Sequence, residues 1–193
     1  MVHKSVQIIR AEHAALVVML RSLEIMVDRG PDSDSEIFFN VVRAMLFYID
    51  EFPERLHHPK ESELLFPRVA RLAPETSEVI ARLENDHLNS ESVVRELQHL
   101  LLAWELLGES RRATFVQVAR HYFEFYLKHM QLEEMVVLPA AQNVLKEEDW
   151  IELDAAFAAN CDLLTGKYPR DPVYDRLFTC IVLRAPAPVG LGA

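Results

Sequence analysis

Glycine is scarce in this chain, 5 of 193 residues, which leaves too few tight turns for a β-sandwich and favours helices. Cysteine is scarcer still. Cys161 and Cys180 are too few for a disulfide framework or a thiolate metal cage, and they suit a reducing compartment. Basic residues are outnumbered, 20 Lys and Arg against 30 Asp and Glu, for a net charge of −10. With no basic stripe to offset that balance, a nucleic-acid or anionic-membrane surface is excluded. Long hydrophobic runs are missing as well: the longest uncharged stretch, Met135 to Leu145, falls well short of the roughly 18 residues a membrane span requires. Arg10 and Glu12 interrupt what would have to be the apolar region of a signal peptide. What is present is 50% hydrophobic and 26% charged residues, the composition of an ordinary globular domain, expected to be soluble and cytoplasmic.

Apolar residues recur at helical spacing along most of the chain. Val6, Ile9, Leu16, Leu20, Leu23 and Val27 predict a first helix over residues 4–28, closed by Gly30-Pro31. After the Ser33-Asp34-Ser35 capping cluster, Phe38, Val42, Met45, Ile49, Phe52 and Leu56 predict a second over 35–57, with a separate shorter stretch from Pro59 to Leu72. Pro74 opens a third helix ending near Gly108, and a fourth runs over 109–145, kinked or divided by Pro139. The expected architecture is all-α, an antiparallel up-down four-helix bundle over residues 1–146. A short C-terminal helical appendage follows over 147–184, with Gly166 and the Asp171-Pro172 pair as helix punctuation, then a flexible tail over 185–193.

Four of the eight histidines, His13, His57, His87 and His129, fall one per helical segment on the face that should be apolar. Three of them have a glutamate four residues later: His57/Glu61, His87/Glu91 and His129/Glu133. Chance would supply about 0.8 such pairs, and the offset puts both side chains within about 40° on one helix face, able to converge on one ion. Height along the bundle agrees for one pair, because His87 lies 21 residues before Gly108 and His129 lies 21 after it, and agrees less well for the first hairpin, where His13 lies 17 before Gly30 and His57 27 after it. Pro59 works against a regular helix joining His57 to Glu61. Imidazoles and carboxylates facing an apolar interior cost several kcal/mol each if unpaired, and no Lys or Arg occupies the matching inward positions. Two divalent cations would nearly balance three carboxylates; nitrogen and oxygen ligands without thiolate suit iron or manganese at a two-metal site, and zinc would bind such a set too. His3 and His58 read as solvated, His99 and His121 as surface or packing residues. Tyr122 and Tyr126 share the face of His129 and read as core aromatics, with a hydrogen bond to a metal-bound ligand as the alternative.

Glu12-His13, the block YIDEFPERLHHPKESELLFPRV from Tyr48 to Val69, Glu84 to His87, and YLKHMQLEEMVVLP from Tyr126 to Pro139 together resemble the hemerythrin-like, HHE cation-binding family over about residues 8–140. The resemblance implies a non-haem di-iron centre inside a four-helix bundle, with His13, His57, His87 and His129 as terminal ligands and Glu61 and Glu133 as bridging carboxylates. It also implies a departure, since oxygen-carrying members have a second histidine where this chain has Glu91. As an anionic ligand Glu91 is expected to favour the oxidised metal and to disfavour reversible oxygen carriage.

The functional expectation is a di-iron binding protein that senses or handles oxygen, nitric oxide or iron under oxidative or nitrosative stress, as a monomer or homodimer. The alternative is a di-iron enzyme that reduces peroxide or nitric oxide, or donates iron for iron-sulfur cluster repair.

Overall fold

The structure, a computed structural model, describes residues 3–31, 34–160, 162–165 and 172–192. Among these residues it is helical, and the one β feature is an isolated bridge between Pro186 and Gly192. Helix α1 spans Lys4–Arg29 and ends where Gly30, at φ 73°, turns its N–H back to Met26 O at 2.9 Å. Gly108, at φ 88°, does the same for a later helix through Trp104 O. A side chain with a Cβ would resist both positive-φ stops. Asp34 caps helix α2, Ser35–Ile49, by accepting from the Ile37 N–H at 3.1 Å. Ser33, Gly166 and Asp171, to which the sequence assigned helix punctuation, and Cys161 lie outside the described residues.

From Ser35 to Leu72 the chain stays helical without the expected break at Pro59. It passes from α2 through a π-helical stretch Asp50–His57, a short α3 His58–Lys60, a second π stretch Glu61–Leu65, and α4 Phe66–Leu72. Pro59 is absorbed at the first turn of α3, where its missing N–H costs nothing. A 3₁₀ turn Pro74–Thr76 leads into α5, Ser77–Leu107, and α6, Arg112–Leu132, is followed by a third π stretch Glu133–Val137 and α7, Leu138–Val144. The expected division of the fourth helix at Pro139 is thus a wide turn just ahead of the proline.

The hydrophobic interior is split into two clusters. One gathers Leu16, Leu20, Met45, Phe52, Val94, Trp104, Phe115 and Tyr126; the other gathers Val6, Ile9, Leu65, Phe66, Leu83, Val137 and Leu138. Each long helical segment crosses from one cluster to the other, and the order alternates along the chain. At each crossing stands an inward histidine or glutamate, so a polar layer separates two apolar ones. α1 packs on α2 and α6, and α5 packs on α2 and α6.

The C-terminal part covers both clusters. Helix α8, Glu147–Ala158, lays Trp150, Leu153 and Phe157 on the second cluster alongside α1, and α9, Asp175–Arg184, adds Phe178 and Ile181 to the first alongside α2. Each such side chain contributes roughly 1.5–3 kcal/mol of burial. Residues 185–192, the segment expected as a tail, are hydrogen-bonded to α1 and α9. Ser22 Oγ, buried in α1, donates to Pro186 O and accepts from the Val189 N–H, both at 2.9 Å, and Leu191 N–H bonds Val182 O at 2.8 Å. Gly190 and Gly192 permit this, because a Cβ at either would collide with the carbonyls of Ala185 and Arg184. No helix among the described residues is long and apolar enough to cross a membrane.

Candidate metal centre

Four segments deliver the polar layer: α1 brings Glu12 and His13, the Ser35–Leu72 segment brings His57, His58 and Glu61, α5 brings His87, and α6 with its following wide turn brings His129 and Glu133. Two wide turns begin at glutamates of this layer. Glu61 and Glu133 each open a π stretch, each four residues after a histidine and six before a proline, Pro67 and Pro139. A proline lacks the N–H for the α-type bond and its ring crowds the carbonyl four residues back, which accounts for the widened turn ahead of it; such turns recur at functional sites.

The five inner histidines share one arrangement, Nδ1 on an outer partner. His13 Nδ1 lies 2.9 Å from Glu134, His57 Nδ1 2.7 Å from Glu12, His58 Nδ1 3.0 Å from Glu54, His87 Nδ1 3.0 Å from Ser62 Oγ, and His129 Nδ1 3.4 Å from Asp86. Such partners hold an imidazole with Nε2 turned inward; that of His58 lies 3.0 Å from the Tyr126 hydroxyl. The Nε2 atoms converge: those of His87 and His129 are 3.2 Å apart, that of His57 is 2.8 Å from Glu61, and that of His13 is 3.4 Å from Glu133.

Glu61 and Glu133 are fully buried, and none of their four carboxylate oxygens has a hydrogen bond of acceptable geometry. Orphaned buried carboxylate oxygens are costly and fit a cation. Two four-residue groups have ligand atoms within 4.8 Å of one another: His58, Glu61, His87 and His129, and His13, His57, Glu61 and Glu133. Glu61 belongs to both. Among protein groups alone, burial and the adjacent Glu133 push the Glu61 carboxyl well above the usual carboxylate range. Burial and neighbouring imidazoles hold His58 and His87 well below the usual imidazole range, so both are neutral with a lone pair to offer. Burial opposes protonation of His13 and His57 too, yet Glu133 and Glu134 lift His13 to about 9, and Glu61 and Glu12 lift His57 well above its ordinary value. A cation entering that group would displace protons.

Of the residues singled out in the sequence, His13, His57, Glu61, His87, His129 and Glu133 meet in this layer. Glu91 does not. Its side chain is 47% exposed and pairs with Arg95, because the inward stripe of α5 runs His87, Ser90, Val94 and passes it by. The charge argument against reversible oxygen binding, which required Glu91 beside a metal, falls with it. His58, read from sequence as solvated, is 6% exposed and stacks on His87 at 3.9 Å between ring centroids. It supplies the third imidazole where the sequence offered Glu91. The repeated spacing of His57, Glu61, Pro67 and His129, Glu133, Pro139 was the available signal for the wide turns that open at Glu61 and Glu133.

Tyr126 and Tyr122 do more than fill the core: their hydroxyls lie 2.9 and 3.2 Å from Glu54, which also accepts from Ser90 and contacts His58. Beside the layer is a cavity of about 20 Å³ lined by residues that include His13, His57, His58 and His129. That volume accommodates about one water. A family model described as the hemerythrin HHE cation-binding domain matches residues 4–141, which takes in every inward histidine and glutamate named above. No curated protein matches the sequence.

Proposed function

Since the chain belongs to the hemerythrin HHE cation-binding family, we propose that it is a non-haem di-iron protein that binds a small ligand such as oxygen or nitric oxide, acting in sensing or handling these species or iron under oxidative or nitrosative stress. The observation that carries this reading is the pairing of four orphaned carboxylate oxygens on Glu61 and Glu133 with five imidazoles whose Nδ1 atoms are held from outside. In this reading His58, Glu61, His87 and His129 would hold one iron, His13, His57, Glu61 and Glu133 would hold the other, and the helical segments would form an up-down four-helix bundle. Iron would supply reversible electron transfer and an open position for the small ligand. The chain's own residues fix the ring orientations and leave a small cavity beside them.

A specific observation also favours an enzymatic reading, reduction of peroxide or nitric oxide. Glu54 Oε2 and the Tyr126 hydroxyl each lie 3.0 Å from a His58 ring nitrogen, and Tyr126 also donates to Glu54 at 2.9 Å, a set of exchangeable protons beside the polar layer. The experiment for the di-iron reading is metal analysis of protein purified with and without air. About two irons per chain are expected, with at least one lost in His87→Ala or His129→Ala; full occupancy in both variants would overturn the assignment. Catalytic turnover of peroxide or nitric oxide by the iron-loaded chain would select the enzymatic reading.

A further inference from the structure

Residues beyond 141 lie outside the matched domain, yet two of them reach its centre. Helix α8 is fixed along α1 by Asp154, which accepts from the Ser5 hydroxyl and backbone N–H, and by Trp150 stacking on His3 at 4.1 Å. The chain turns after Ala158, and the turn carries Asn160 and Asp162, 4% and 3% exposed, into the wall of the cavity beside His57. Asn160 Nδ2 donates to Glu12 Oε2 at 3.0 Å, and that same oxygen is 2.7 Å from His57 Nδ1. The other oxygen of Glu12 is buried with no partner. Asn160 Oδ1 accepts from the Lys60 ammonium, next in sequence to Glu61. Asp162 accepts from the Tyr48 hydroxyl at 2.6 Å and from the Leu164 N–H at 2.9 Å.

We infer that the C-terminal segment is a working part of the metal centre: Asn160 is a positioning residue that holds Glu12 against His57 Nδ1, and Asp162 lines the cavity beside it. Glu12 has only two donors, and both meet one oxygen. With the Asn160 amide removed, the carboxylate keeps a single bond and is free to swing about its side-chain torsions, and the His57 ring loses its fixed aim. Loss of an outer partner of this kind typically costs 10–100-fold in metal affinity. The effect is confined to the group that contains His57. The other group has its own outer partners on Glu54, Ser62 and Asp86, none of which touches Asn160.

This inference rests on the two-metal reading, and the experiment separates the two. The full chain is loaded anaerobically with ferrous iron, and release to a chelator is followed for wild type, Asn160→Ala and Asn160→Asp. The aspartate keeps the volume and the bond to Lys60 but replaces the donor with an acceptor facing Glu12. Phases are assigned with His13→Ala and His129→Ala, and melting of the metal-free chains reports on folding. The expected result is two phases in wild type, with only the His13/His57 phase weakened 10–100-fold in both Asn160 variants, and the metal-free melting midpoints little changed. A change in Asn160→Ala alone would reduce Asn160 to packing, and equal weakening of both phases would mean general loosening; either overturns the inference. Unchanged release in both variants from a chain that holds two irons overturns it while leaving the two-metal reading intact. A wild-type chain that holds no iron overturns both.

Discussion

Replacing His58 and Glu91 separately sets two rival ligand positions against each other. His58 is buried, with Nδ1 3.0 Å from Glu54 and Nε2 3.0 Å from the Tyr126 hydroxyl. In His58→Ala, Glu54 keeps Ser90 and both tyrosines, so the hydrogen-bond loss is on the order of 1–3 kcal/mol. At roughly 2–4 °C per kcal/mol for a chain of this size, the melting midpoint of the metal-free protein should fall by up to about 10 °C. The metal effect is larger. An outer partner is worth 10–100-fold in affinity, so removing one of the imidazoles in the group of His58, Glu61, His87 and His129 should cost more than about 100-fold and reduce bound metal from two ions to about one. Glu91→Ala loses only an exposed pair with Arg95, worth about 0.3–0.5 kcal/mol. Its midpoint should move by no more than about 2 °C, and both ions should stay. His58→Gln, which keeps a hydrogen-bonding group in the same space, separates folding from ligation. Metal content after gel filtration, a chelator titration and a thermal scan read all three variants. Two tightly held ions in His58→Ala, or one ion lost in Glu91→Ala, would refute the reasoning.

Glu133→Ala should lower metal retention far more than Glu91→Ala, because Glu133 is fully buried within a ligand group and Glu91 is not; equal retention in metal analysis of the two variants would contradict this. A pH effect is expected at Asp162, whose carboxyl burial raises from 3.8 to about 6 against the opposing bond from Tyr48. A carboxyl raised in the folded state stabilises the fold at low pH, and that contribution is lost as pH climbs from about 4 through about 6, on the order of 2–3 kcal/mol in all. Asp162→Asn removes the titration but leaves one acceptor for two donors, a loss of about 1 kcal/mol. Denaturation curves of the two proteins should therefore cross near pH 5, with the variant less stable at pH 4 and more stable at pH 7; a gap that does not vary with pH would rule this out.

Much of the fold was legible in the sequence because it rests on local rules. Scarce glycine, helical spacing of apolar residues, the Asp34 cap and the two glycine stops at 30 and 108 fixed an all-α chain and most of its helix limits. So did the inward histidine stripe, since a polar side chain that recurs on an apolar face has few explanations besides a shared ligand. The tertiary structure decided the rest. An i,i+4 offset says that His87 and Glu91 lie near one another on α5, but 40° around the helix separates a residue facing the layer from one paired with Arg95 in solvent. His58 follows the π stretch Asp50–His57 and stacks inward on His87 from another segment. Asn160 comes to Glu12 from 148 residues away, and the segment after Arg184, which reads as tail by composition, is held by a serine in α1. Local sequence encodes periodicity and stops; which neighbour fills a buried position is decided by packing between segments distant in the chain, where burial and hydrogen-bond satisfaction are shared.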